Sequence, residues 1–212
     1  MTPESIHRVI EHHAATRGNL VAIADRNRAC SYRELNYRAN ALARHLMANG
    51  FHRGRHASVT MPRGIDLATA LLAVLKAGGS YTWSDPERSV SSEPHGISIE
   101  TGGDAAERRY LYLDVTAVLE ERVSGCPNLP IMTRHTDIAC ILHENGTAPV
   151  SVPHATITGL RARAVTHPTR WNGDSSAFDL WMALMAGTTA LVDASAEASA
   201  ARDDRTAAIA AA

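Results

Sequence analysis

Between Ser31 and Pro86 two helical patterns of different character enclose a short β-rich run, and few folds accommodate that order. In the first pattern Leu35, Ala39, Leu42, Ala43 and Leu46 recur at the three-and-four spacing of a single helix face. Ser31 stands three residues before Glu34, as a capping box requires, and Gly50 is placed to end the helix. The second pattern, Asp66 to Ala77, is apolar nearly all round, which predicts a buried helix stopped by Gly78-Gly79. Between them Ala57 to Met61 reads as a strand closed by Pro62. Helix, strand and buried helix in succession predict an α/β chain, a layered sheet with flanking helices.

The remaining text is less regular. Pro3 to Arg17 predicts a first helix stopped by Gly18, with Ile6, Val9 and Ile10 on one side and His12-His13 on a solvated face. Neighbouring histidines point about 100° apart on a helix, so they form no ligand pair, and no metal site is assigned. Leu20 to Asp25, Gly96 to Glu100, Arg109 to Asp114 and Asp137 to Leu142 read as strands, and Thr116 to Arg122 as a short helix. From Ala194 to Ala212 the chain is Ala-rich with Ile209 as its one large apolar anchor, which predicts a frayed tail after a unit spanning residues 1–193.

Composition removes several function classes. Twenty-two acidic and 21 basic side chains leave no electrostatic reason for nucleic acid or an anionic membrane as partner. No apolar run has the length of a membrane span, and Met1-Thr2-Pro3-Glu4 does not open a signal peptide. Cys30, Cys126 and Cys140 are odd in number and far apart, which suits a reducing cytoplasmic setting rather than a disulfide framework. No G-x-S-x-G elbow occurs, and neither His143 with Glu144 nor His154 with Asp174 has a spacing that implies a catalytic pair.

The run Cys30-Ser31-Tyr32-Arg33-Glu34-Leu35, with Asn36, Arg38-Ala39-Asn40 and Leu42-Ala43 behind it, resembles the first core motif of the amino-acid adenylation domains of nonribosomal peptide synthetases, members of the acyl-adenylate-forming, AMP-binding superfamily. Leu75-Lys76-Ala77-Gly78-Gly79-Ser80-Tyr81-Thr82-Trp83-Ser84-Asp85-Pro86 resembles the second, with Trp83 where the family has proline. Gly173-Asp174-Ser175-Ser176, followed by Ala186-Gly187-Thr188-Thr189-Ala190-Leu191-Val192, is similar to a third landmark. The resemblance implies the first part of an adenylation-domain N-terminal core, with the C-terminal part and the mobile lid missing.

That resemblance also says where chemistry should reside. In the family, a strand comparable to Asp137-Ile138-Ala139-Cys140-Ile141-Leu142 leads into a Ser/Thr/Gly loop ending in P-K-G, which wraps the ATP phosphates. Here Asn145, Gly146 and Thr147 are its vestige; the loop is short, Glu144 replaces a hydroxyl residue, and no lysine follows Lys76. A carboxylate near a triphosphate is repulsive by about 1–4 kcal/mol at ~4 Å. Asp174 falls on the aspartate that pairs with the α-ammonium group of the substrate in amino-acid-activating members; the other reading is a helix cap for a helix starting near Ser175. An alternative alignment through Phe178-Asp179 loses the spacing to Ala186-Gly187. ATP and magnesium are the family's cofactors, yet binding in the family's manner is not expected, and no catalytic residue is assigned.

The expected function is that of a truncated adenylation-like protein of nonribosomal peptide metabolism, silent alone and acting as a docking or regulatory partner. Two alternatives stay open: a residual amino-acid or nucleotide binder holding its ligand through Asp174, and half of a split ligase. Partners on these readings are synthetase components, a complementing chain, or a second copy meeting an uncovered sheet edge.

Overall fold

Helix α1 (Ile6–Thr16) begins at Ser5 and buries Ile6, Val9 and Ile10, the expected apolar face. Only His12 of the histidine pair faces solvent. His13 is buried, where it donates from Nε2 to the Met185 carbonyl (2.9 Å) and lies 5.6 Å from the Tyr32 ring, so the solvated-face reading fails for it. The cause is tertiary: a second element covers this side of α1. Strands β1 (Val21–Ala24) and β2 (Ala29–Ser31) follow as an antiparallel pair. The computed structural model of the protein describes residues 5–25, 27–86, 96–101, 109–113, 125–130, 133–143, 148–160, 168–171 and 177–192. The expected helix at 116–122 and the tail from 194, with the boundary before it, lie outside them.

Helix α2 (Tyr32–Ala48) is capped as its sequence predicts, the Glu34 amide donating to Ser31 Oγ at 3.2 Å. After β3 (His56–Thr60), helix α3 (Ile65–Lys76) is buried along almost its whole length. Gly78 stops it at φ +83°, a left-handed conformation that glycine adopts without penalty. Gly79 permits a close approach, since a Cβ there would lie 2.3 Å from the Phe51 ring. Strand β4 (Ser80–Ser84) then pairs parallel with β3 over five residues, completing a β3–α3–β4 unit.

Strands β5 (Gly96–Thr101), β6 (Arg109–Leu113), β7 (Ile138–Leu142) and β8 (Val150–Pro153) extend this into a six-stranded mixed sheet of order β6-β5-β3-β4-β7-β8. A short helix, α4 (His154–Gly159), leads towards β9 (Thr169–Trp171), helix α5 (Phe178–Ala186) and β10 (Ala190–Val192). β10 inserts between β1 and β9, parallel to both, giving a second sheet of order β2-β1-β10-β9. The layered α/β prediction therefore holds, divided over two sheets: the last strand returns to the first rather than adding to the larger sheet.

The core lies where α2 packs along α3 while α1 bridges α2, α3 and α5. Aromatic side chains join the two halves. Trp181 of α5 donates from Nε1 to the Tyr81 hydroxyl of β4 (2.7 Å), and Trp171 of β9 lies 5.9 Å from Trp83 of β4. Trp83 occupies the place where the resembled family has proline. Its Nε1 donates to the Met61 carbonyl (3.0 Å) and Arg63 lies 5.1 Å over its ring, so the larger residue fills the space facing Trp171. No helix among the described residues is long and apolar enough to cross a membrane.

Candidate functional site

Strand β7 does not run into a helix. It turns back into antiparallel β8, with Leu142 opposite Val150, Ile141 opposite Ser151 and Cys140 opposite Val152, and the next helix starts only at His154. The connection runs from exposed His143 to exposed Pro149. Asn145, Gly146 and Thr147, the vestigial phosphate loop, and Glu144 beside them lie outside the described residues.

The base of this hairpin is held by charge. Asp137 receives two hydrogen bonds from Arg53, Nε to Oδ2 and Nη2 to Oδ1, each 2.9 Å, and the Arg134 amide donates to Oδ2 at 2.8 Å. The Arg53 guanidinium keeps the Asp137 carboxyl below the usual aspartate range, against the opposing effect of burial. Across the hairpin the His154 amide donates to the Asp137 carbonyl (3.0 Å), and the Ala155 amide to that of His135 (2.8 Å). With its carboxylate so engaged, Asp137 is a clamp that fixes β7 to the α2–β3 turn.

His154 is wholly buried. The Ile6 amide donates to its Nδ1 (3.3 Å), so the neutral ring carries its proton on Nε2, which has no partner. Burial pushes its pKa down to about 4. His7 meets it edge-on, with ring centroids 6.0 Å apart, and burial, then His154 and Lys76, hold His7 well below the ordinary histidine value. The geometry makes His154 a packing residue at the start of α1.

Lys76 bears most directly on phosphate chemistry, because it is the sole lysine of the sequence. Its ammonium is buried against the Glu11 carboxylate of α1, with side chains only 1% and 8% exposed. Burial lowers its pKa, and the Glu11 carboxylate partly counters that. This ammonium is therefore committed to holding α3 on α1.

Asp174 lies within residues 172–176, outside the described residues, and the elements on either side are defined. Trp171 ends β9, wholly buried, with an unpartnered Nε1. α5 begins at Phe178 with Ala177 at its N-cap position, in a left-handed conformation (φ 57°). The helix expected near Ser175 therefore starts later, at Phe178. Asp179 falls in the first turn of α5, where a carboxylate suits the positive end of the helix. Ala177 is the one non-glycine residue with positive φ among the described residues, at a cost of about 1–2 kcal/mol.

The two core motifs prove architectural. The Tyr32 hydroxyl lies 3.0 Å from the Leu184 carbonyl and 2.7 Å from that of Thr188, tying α2 to the end of α5. Glu11, Arg53 and Tyr32 carry structural charge and hydrogen bonding that no local signal announced, since each partner lies far along the chain.

Residues 10–97 match the family of AMP-binding enzymes. Gramicidin S synthase 1 of Brevibacillus brevis is 26% identical over 88% of this chain and 19% of its own length. Surfactin synthase subunit 1 of Bacillus subtilis is 37% identical over 43% of the chain and 3% of its own length. Among solved structures, the N-terminal subdomain of NpsA from Klebsiella oxytoca, in complex with anthranilyl-AMSN, superposes with a TM-score of 0.72 at 19% identity, covering 91% of this chain and 55% of that one. The chain thus spans about a fifth of the gramicidin synthase and about half of the NpsA subdomain.

Proposed function

We propose, for a chain that resembles the adenylation domains of nonribosomal peptide synthetases over most of its length and carries part of the fold of their N-terminal subdomain, that it makes no aminoacyl-adenylate by itself and acts as a docking or regulatory partner of synthetase components. The observation that carries this reading is the state of Lys76. Activating a carboxylate with ATP is largely management of phosphate charge by cations and preorganised donors. The one ammonium side chain of this sequence is buried on Glu11, and Glu144 adds negative charge to the loop that would meet the phosphates. Arg53, which reaches the base of the β7–β8 hairpin, is committed to Asp137.

Pyrophosphate exchange with a panel of amino acids tests the reading. Exchange at background for every amino acid is the expected result. Label entering ATP in the presence of one amino acid and this polypeptide alone would overturn it. A second reading, binding of an amino acid or nucleotide without turnover, is favoured by the strained Ala177 immediately after the Asp174 segment. A ligand at 100 times its dissociation constant would stabilise the fold by about 2.7 kcal/mol, readable as a thermal shift.

A further inference from the structure

We propose that His154 is a proton-sensitive latch on the first turn of α1. While its ring is neutral, Nδ1 holds Ile6; taking up a proton releases the turn, Ser5 to Val9, from the β8–α4 junction and leaves the two sheets in place. The inference is independent of the partner reading above.

α1 starts inside the molecule, since Ser5, Ile6 and His7 are all buried. The first amides of a helix have no partner within it and ordinarily turn to a capping side chain or to water. Ser5 makes no side-chain cap; its Oγ lies instead 3.3 Å from His7 Nε2. The Ile6 amide reaches out of the helix to His154 Nδ1 (3.3 Å), while the Arg8 and Val9 amides donate to the Ser5 carbonyl. An imidazole nitrogen accepts a hydrogen bond only while it carries no proton. A proton on Nδ1 therefore removes the acceptor and sets two donors face to face in a buried site.

The surroundings resist that proton while the turn is closed. His7 of α1 meets His154 edge-on with ring centroids 6.0 Å apart, and His7 Nδ1 and His154 Nε2 are buried with no partner among the described residues. Lys76 of α3 and Arg8 of α1 add positive charge at His7. Asp137 of β7 favours the charged ring of His154, but burial outweighs it, and that carboxylate already holds Arg53. Glu11 of α1 is taken up by Lys76, on which Arg44 of α2 also acts. α5 meets α1 at His13 through a backbone carbonyl, that of Met185. The last two contacts hold the rest of α1, and the Arg53–Asp137 pair holds the hairpin base, so only the first turn depends on the latch.

His154 titrates at about 4 with the turn closed and near 6.5 once it is released. The released turn binds the extra proton between those values, so opening is favoured as pH falls through that window. From pH 7 to pH 5 His154 alone should raise the opening constant about twentyfold, and His7 adds in the same direction.

Amide hydrogen exchange of the whole chain, read residue by residue by NMR at pH 7 and pH 5 over a series of low urea concentrations, tests the latch. After correction for intrinsic rates, the Ile6, Arg8 and Val9 amides should show that rise, with a urea slope well below that of global unfolding. His154→Asn keeps an acceptor oxygen near the place of Nδ1 and binds no proton; its first-turn response to pH should be at least about fivefold smaller than that of the wild type. Should this variant fail to fold, nitrogen shifts of the wild-type imidazoles read the same point. His154 must then carry its proton on Nε2 at pH 7 and gain one on Nδ1 as the first turn loses protection. First-turn opening that ignores pH, that has the urea slope of global unfolding, or that responds equally in His154→Asn overturns the proposal. So does a neutral His154 ring protonated on Nδ1.

Discussion

Replacing Lys76 by methionine isolates the buried ion pair between α1 and α3. The side chains are 1% and 8% exposed, so Lys76→Met leaves the buried Glu11 carboxylate with only the largely exposed Arg8, 3.8 Å away, as counter-charge. Breaking a buried pair from one side costs about 3–5 kcal/mol, a large share of the roughly 5–15 kcal/mol that holds a domain folded. For a chain of this size that is a fall of about 6–20 °C in melting midpoint. Glu11→Leu alone should cost a similar amount by stranding the ammonium. The double variant Glu11→Leu/Lys76→Met removes both charges and should recover to within about 1–2 kcal/mol of the wild type, since apolar replacements of a buried pair are tolerated. Urea unfolding followed by circular dichroism, with the slope checked for constancy, measures all four corners of the cycle. Additive losses, or a Lys76→Met cost under about 1 kcal/mol, would refute the argument that this lysine is structural and reopen it as a chemical group.

The other expectations concern titration and reactivity. His154 titrates near 4 in the fold and near 6.5 when unfolded, so the unfolded chain binds the extra proton between those values and stability must fall as pH is lowered through that window. The loss from His154 should approach about 2 kcal/mol by pH 5 and about 3 kcal/mol by pH 4, with His7 adding in the same direction; a urea midpoint unchanged from pH 7 to 5 would contradict it. An amine-reactive ester should modify the native chain at its α-amino group alone, a second adduct appearing in intact mass only after unfolding, because the single lysine is enclosed. Of the three thiols, Cys126 is half-exposed whereas Cys30 and Cys140 are buried, Cys30 with its pKa pushed up to about 12. A disulfide reagent should therefore titrate one thiol in the native protein and three in denaturant, and rapid native reaction of two would show the core to be open.

Several features were legible from neighbouring residues alone. The cap of α2 by Ser31, the burial of α3 and the stop at Gly78-Gly79 depend on hydrogen bonds and side-chain spacing within a few residues, and they appear where the chain text places them. The family resemblance was equally readable, because it rests on contiguous runs around Tyr32 and Tyr81. The candidate site was legible only as stretches of sequence: residues 144–147 and Asp174 lie outside the described residues, while the strand expected before the first stretch is present as β7, which pairs with antiparallel β8, and the helix expected near Ser175 starts at Phe178.

What tertiary structure alone decided is the partnership of groups distant along the chain. Glu11 finds Lys76, Arg53 finds Asp137, and the Tyr32 hydroxyl finds the carbonyls of Leu184 and Thr188. The return of β10 to β1, which makes two sheets rather than one, belongs to the same class. Local sequence encodes dihedral preference and amphipathic period. A charge becomes structural only when folding removes its water and supplies one particular counter-charge, and neither event is written in the residues beside it.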